Sequence, residues 1–188
     1  MKQAKTLNDK ELKQVLTYIS LHWHAARNRT MLLLTHWAGM RVGEVAALKV
    51  GDVLNPDTSI RSEIRLAAEQ TKGRQARTVF IGQRLRKELA SYVATLKHPS
   101  AGQRLFATQK RAGFSASTLC QYFHWLYRYA GIDGASSHSG RRSFITNLAN
   151  KGGGVRVLMS LAGHRNISTT QRYIYVNDDM PRRAVDLI

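Results

Sequence analysis

The stretch from His138 to Tyr173, HSGRRSFITNLANKGGGVRVLMSLAGHRNISTTQRY, constrains the fold of this chain more than any other. Two clusters stand out: His138-Ser139-Gly140-Arg141, and Leu161-Ala162-Gly163-His164 followed nine residues later by Tyr173. At i and i+3, His138 and Arg141 share a helical face about one turn apart if a helix begins here. Ser143 to Asn150 continues that helix, Gly152-Gly153-Gly154 is a turn, and Val155 to Leu161 is a second short helix. Asn166-Ile167-Ser168-Thr169-Thr170-Gln171 reads as a helix entry, with Ser168 as cap and Gln171 answering it as a capping box. Tyr173 then falls in the second turn of a short helix, with His164 in the loop before it.

Two imidazoles, a guanidinium and a phenol suit an anionic phosphate. Arginine offers a planar fork of donors to two phosphate oxygens. Histidine donates to the same oxygens and exchanges a proton. A tyrosine is a poor nucleophile at its free pKa of about 10 and needs a proton acceptor and nearby positive charge. If it attacked phosphorus, it would leave a covalent phosphotyrosine. A lone His or Tyr at a helix end is most often structural, and H-x-x-R alone is weak. The joint pattern of H-x-x-R, L-x-G-H and a spaced Tyr is far more specific.

The charge balance points the same way. There are 29 Lys and Arg against 12 Asp and Glu, a net charge of +17 with a pI near 10.7. Such a surface favours a polyanion, by default DNA or RNA, bound with steep salt dependence. Hydrophobic content of 43% over 188 residues fits one globular domain. The single cysteine, Cys120, permits no internal disulfide and fits a reducing cytoplasm; it reads as a buried helical thiol. The first residues lack the apolar core of a signal peptide, and no apolar run approaches a membrane span.

The rest of the chain alternates helical patterns with one hairpin. Asn8 and Glu11 form a capping box for a helix over 8–20, with Leu12, Val15, Leu16 and Ile19 as its apolar stripe and Leu7 as a staple onto Leu12. His22 and His24 have no Cys or carboxylate neighbour, which argues against a metal pair. Arg29 to Ala38 is a very apolar helix ended by Gly39. Arg41 then opens a short helix, with Glu44 one turn along. That pair reads equally as an ordinary i,i+3 salt bridge. Residues 60–67 and 76–81 read as strands joined by the turn Thr71-Lys72-Gly73-Arg74. Gln83 to Leu96 is a helix and 109–113 a basic loop. A further helix runs from Ser115 or Ser117 to about Ala130, its Tyr122, Phe123, Trp125, Leu126 and Tyr129 reading as core in preference to a base-stacking platform.

Taken together, Arg41 with Glu44, Lys72, His138-x-x-Arg141, Gly163-His164 and Tyr173 resemble the catalytic domain of the tyrosine recombinases, the phage-integrase family of DNA recombinases. The resemblance covers roughly residues 8–180. It implies a mainly α fold with a small antiparallel β-sheet, and a short extended piece at Leu105-Phe106 before the next helix. It implies an enzyme that breaks and rejoins DNA at specific sites through a 3′-phosphotyrosine on Tyr173, needing neither ATP nor a metal. Arg41, Arg141 and His164 would hold the phosphate, His138 would take the phenol proton, and Lys72 on the hairpin would protonate the leaving 5′ oxygen, with Glu44 in support. Arg74, Arg77, Lys110, Arg111, Arg142 and Arg165 are further DNA-contact candidates. Double-stranded DNA is the implied partner, with a tetramer on paired sites, an accessory DNA-binding protein and a cytoplasmic, nucleoid-associated location as further implications.

Three departures matter. The N-terminal clamp domain of most members is missing, so residues 1–188 read as one catalytic domain, either a short member or a fragment. Gly140 and Arg142 stand where the family often has Leu and His, and Ala162 where it often has Leu. Residues 177–188 read as a tail that docks on a neighbouring subunit. The rival readings are a type IB topoisomerase-like relaxing enzyme, a non-catalytic DNA-binding module and a metal-dependent nuclease. The triple glycine lacks a P-loop lysine pattern, which argues against nucleotide binding, and Asp178-Asp179 alone is no two-metal site.

Overall fold

The computed structural model describes residues 4–71 and 73–174, together with Val185. Helix α1 (Asp9–Ser20) starts where its box closes: the Glu11 N–H donates to Asn8 Oδ1 at 2.9 Å and the Asn8 N–H to Glu11 Oε2 at 3.0 Å. It buries Val15 and Ile19, and Leu7 ahead of it is also buried.

Helix α2 (Ala25–Trp37) is the central rod. Its whole run from Thr30 to His36 is buried, and it packs against α1, against α5 (Gln83–Val93) and against α7 (Ser139–Asn150). It begins four residues before the expected Arg29, because His24 adopts a left-handed conformation (φ 61°) that turns the chain into the helix early. Gly39 ends it at φ 61°; a Cβ there would lie 2.4 Å from the Phe144 ring. Two short helices follow, α3 (Val42–Ala47) and α4 (Val50–Val53).

The sheet has two strands, β1 (Glu63–Leu66) and β2 (Arg77–Phe80), antiparallel with Glu63 opposite Phe80 and Leu66 opposite Arg77. Both are shorter than the sequence pattern: Ile60 bridges Leu54 instead of continuing β1, and a 3₁₀ turn at Ala68–Gln70 follows the strand. Helix α5 stops at Val93 rather than Leu96, burying Leu85, Leu89 and Tyr92. The extended piece before the next helix is present: Arg104 bridges Lys49, and Leu105 and Phe106 are buried.

Helix α6 (Ala116–Tyr129) is capped by Ser115, whose Oγ accepts from the Thr118 N–H at 3.1 Å. Its aromatics divide. Phe123 is buried, whereas Trp125 and Tyr129 are 45% and 64% exposed and stack on each other at 5.6 Å. The expectation that all of them belong to the core is therefore corrected: positions 125 and 129 lie one turn apart on the face turned away from the core. Cys120 is half-buried rather than buried.

Helices α7, α8 (Val155–Ala162) and α9 (Ile167–Gln171) complete the described fold. At the α2–α7 crossing, a Cβ on Gly140 would lie 2.0 Å from Thr35 Oγ1, so only glycine permits this approach. No helix among the described residues is long and apolar enough to cross a membrane. The tail over 177–188 lies outside the described residues except for Val185.

Candidate active site

Helix α8 leaves its last carbonyls without intrahelical partners, at the negative end of its dipole. Three arginines from three elements take them in succession. Arg77 of β2 donates from Nη1 to the Leu161 carbonyl at 3.0 Å, Arg141 of α7 from Nη2 to the Ala162 carbonyl, and Arg41 ahead of α3 from Nη2 to the Gly163 carbonyl at 3.2 Å. Arg141 also donates from Nη1 to the carbonyl of Gly39 at 2.6 Å. Residues far apart in sequence are thus gathered at one helix end.

Glu44 sits beneath them, 1% exposed. Its Oε1 accepts from Arg41 Nη1 at 2.9 Å and Arg77 Nε at 3.0 Å, and its Oε2 from the Arg41 N–H at 2.7 Å and Arg77 Nη2 at 2.6 Å. Of the two readings of Glu44, support for Arg41 or an ordinary i,i+3 salt bridge, the contact is more than the ordinary pair: the carboxylate is buried and holds two guanidinium groups. Burial alone would push the Glu44 carboxyl up; the hydrogen bonds and charges of Arg77 and Arg41 outweigh it and hold it below the usual carboxylate range.

Gly163 then turns the chain at φ 59°, closing α8 with a left-handed cap. A Cβ there would also lie 2.8 Å from Arg77 Cδ. The turn delivers His164, whose Nδ1 lies 2.9 Å from the hydroxyl of Thr170, itself fully buried. Burial first, and then the charges of Arg141, Arg41 and Arg77, lower His164 to about 4, so the imidazole is neutral at pH 7. Burial, followed by Arg41 and Arg77, lowers Arg141 to about 9, which leaves it charged at pH 7.

Helix α9 starts one residue before the expected cap. Asn166, not Ser168, is the N-cap residue, and the helix ends at Gln171. Tyr173 therefore stands just past the helix, not in its second turn, with its N–H on the Thr170 carbonyl at 3.0 Å. Its ring stacks on His164 with centroids 5.9 Å apart and planes 21° from parallel. Arg142 lies over the Tyr173 ring, Cζ 5.3 Å from its centroid, and donates from Nε to Thr6 Oγ1 at 3.1 Å.

Two of the three arginines, Arg41 and Arg77, line a cleft of about 520 Å³ together with Gln75, His164, Arg165 and Thr169. A phosphodiester entering it would meet Arg41 and the neutral His164, with Tyr173 alongside the imidazole. Of the residues singled out in the sequence, Arg41, Glu44, Arg141, His164 and Tyr173 are brought together. Lys72 lies outside the described residues, though Thr71 and Gly73 on either side line the cleft. His138 is exposed at the start of α7, and its ring makes no hydrogen bond among the described residues. Arg74 is exposed at φ 48° in the hairpin loop. Lys110 and Arg111 are exposed beside Phe114 and Arg104 and do not line the cleft. The Arg77 side chain is only 10% exposed and occupied by Glu44, and Arg165 contacts the hairpin loop. Sequence reasoning missed Thr170 and the carbonyls of Gly39 and 161–163. The left-handed Gly39 and Gly163 are the local signal that could have found two of them. Among the described residues, no three His, Cys, Asp or Glu side chains gather as a metal ligand set.

A helical domain with a two-stranded sheet, three arginines on one helix end and a His–Tyr stack beside it defines a class. The chain belongs to the phage integrase family, whose family model matches residues 5–180. It is similar to the tyrosine recombinase XerC of Brucella suis, 36% identical over 157 residues, which are 82% of this chain and 48% of that protein. The chain spans about half the length of this curated relative. In fold it resembles the crystal structure of XerA recombinase, with a TM-score of 0.76 and 26% identity over 100% of this chain and 66% of that one. It also resembles XerH site-specific recombinase bound to difH substrate, with a TM-score of 0.69 and 22% identity over 98% of this chain and 55% of that one.

Proposed function

We propose that this chain cuts and rejoins DNA at specific sites as the catalytic part of a tyrosine recombinase. The observation that carries the reading is the convergence of Arg41, Arg141 and His164 beside Tyr173. The phenol oxygen of Tyr173 attacks a phosphodiester. Its bond to phosphorus forms as the bond to the 5′ oxygen breaks, giving a 3′-phosphotyrosine and a free 5′ hydroxyl. The phenol proton passes to His138, and Lys72 gives a proton to the leaving oxygen. Arg41, Arg141 and His164 offset the charge that grows on the non-bridging oxygens. The ester keeps the bond energy, so a 5′ hydroxyl from a partner strand reverses the step without ATP.

His164 stacks on the nucleophile's ring, and in the free protein its pKa is lowered to about 4, which presents a neutral imidazole that can donate to phosphate. Proton acceptance is assigned to His138. Double-stranded DNA is the proposed substrate, supported by the charge of +17 and by the substrate complex of XerH. Self-association on paired sites, an accessory DNA-binding protein and action in the cytoplasm follow from the same reading.

The test uses a pool of duplexes nicked near the centre and randomised around the nick, so that a cleaved strand escapes and the covalent adduct accumulates. Wild type should yield a denaturant-resistant DNA adduct in the presence of a chelator, and Tyr173→Phe none. An adduct retained in Tyr173→Phe, or one abolished by the chelator, contradicts the proposal.

A further inference from the structure

The loop between β1 and β2 is a preformed unit. The Thr71 hydroxyl donates to the Gln75 carbonyl at 2.8 Å and accepts from the Gln75 N–H at 3.1 Å, while the Arg74 N–H donates to the Thr71 carbonyl at 3.2 Å. These bonds tie Thr71 on one flank of the loop to Arg74 and Gln75 on the other. Where it sits relative to the nucleophile segment must then be fixed by contacts across the cleft.

Arg165 supplies such a contact. It follows His164 directly and donates from Nη2 to the Gly73 carbonyl at 2.7 Å and from Nε to Gln75 Oε1 at 3.3 Å. The contact spans ninety residues of chain. Gly73 makes the approach easy: a Cβ there would stand 3.3 Å from Arg165 Nη2. The lower end of the hairpin is already fixed, since Arg77 is held by Glu44 and the Leu161 carbonyl. One guanidinium thus grips the loop residues that flank position 72, from a backbone position adjoining the imidazole that stacks on Tyr173.

We propose that Arg165 is a positioning residue that docks the loop over 71–76 against the His164–Tyr173 segment and so aims Lys72 at the leaving 5′ oxygen. Delivery of the nucleophile and protonation of the leaving group then share one contact. The inference rests on the strand-cleavage reading above and assigns Arg165 a role other than plain phosphate binding. The two uses separate chemically. A lost phosphate contact slows cleavage whatever the leaving group, whereas a misaimed proton donor matters only when the leaving atom needs a proton.

The experiment compares wild type, Arg165→Ala and Lys72→Ala on duplexes selected from the adduct pool, made with oxygen or with sulfur at the scissile 5′ position. A thiol, with an ordinary pKa of about 8.5, leaves without protonation, unlike an alcohol. Arg165→Ala should cleave the oxygen duplex roughly tenfold more slowly, the scale of one lost hydrogen bond, and the sulfur duplex within about twofold of wild type. Lys72→Ala should show the same rescue more strongly, and Arg165→Lys should recover part of the oxygen rate. Equal slowing on both duplexes, or no slowing, overturns the proposal, as does failure of sulfur to rescue Lys72→Ala. A second measurement needs no DNA. Amide exchange over residues 71–76 should quicken in Arg165→Ala, and unchanged exchange overturns the docking. If wild type forms no adduct on any duplex, the cleavage reading fails, and amide exchange still decides separately whether Arg165 holds the loop.

Discussion

Arg77 donates to both carboxylate oxygens of Glu44, at 3.0 and 2.6 Å, from a strand 33 residues further along the chain. The pair is buried on both sides, and Glu44 accepts from Arg41 as well. Removing the carboxylate charge would leave two guanidinium groups facing each other with Arg141 close behind. Glu44→Gln should therefore cost about 3 kcal/mol of stability, the scale for breaking a buried pair by removing one partner, read as a shift in urea midpoint. Strand cleavage should fall with it, because Arg41 loses the group that aims it. A variant as stable as wild type would show that the cluster does not depend on Glu44.

The lowered His164 couples DNA binding to protons. In the free protein its pKa is about 4, held there by burial and three arginines. A phosphate in the cleft neutralises those charges and raises the imidazole, so binding takes up protons and tightens as pH falls from 7 toward 5. Calorimetry in buffers of different ionisation enthalpy should register that uptake, and His164→Asn should abolish most of it. Unchanged uptake in the variant contradicts a phosphate contact at His164.

His36 gives a second pH dependence, in stability. It is 5% exposed in the last turn of α2, its Nδ1 has no hydrogen-bond partner among the described residues, and burial lowers it to about 4. The sign follows from proton counts. Between pH 6.5 and 4 the unfolded chain binds a proton that the folded protein refuses, so stability is full above pH 6.5 and is lost as pH falls. A shift of that size is worth roughly 3 kcal/mol between pH 7 and 4. His36→Leu should flatten the decline over this window, measured by denaturant unfolding at several pH values. An unchanged slope assigns the pH dependence to other groups.

Gly140 should resist every substitution. The Cβ of Gly140→Ala would lie 2.0 Å from Thr35 Oγ1 and 2.8 Å from Thr35 Cβ, with both helices packed. Overpacking of this kind costs about 2 kcal/mol or more, visible as a lowered melting temperature. The leucine that the family often carries there should be worse still. A variant that melts with wild type would show that α7 can shift on α2 at little cost.

What was legible in the sequence was local or chemically distinctive. Asn8 and Glu11 announce α1 because a capping box completes itself within four residues. Arg41, Arg141, His164 and Tyr173 are legible as a set because few other chemistries require that combination. Much of what was not legible lies in partners distant in sequence. Arg77 and Arg165 read as cations for DNA, since nothing local reveals a carboxylate 33 residues back or a carbonyl 92 residues back. Trp125 and Tyr129 carry the hydrophobicity of core residues, and only the placement of α6 decides that their face stays open. The early start of α2 and the Asn166 start of α9 depend on backbone choices at His24 and Gly163 that propensity does not record.

The most direct test of the central claim is mass spectrometry of the peptide that carries DNA after digestion of a trapped adduct. The phosphoryl group should sit on Tyr173, at the 3′ end of the cleaved strand, with no other residue modified. A nucleotide joined to another side chain, or a 5′ linkage, would contradict it.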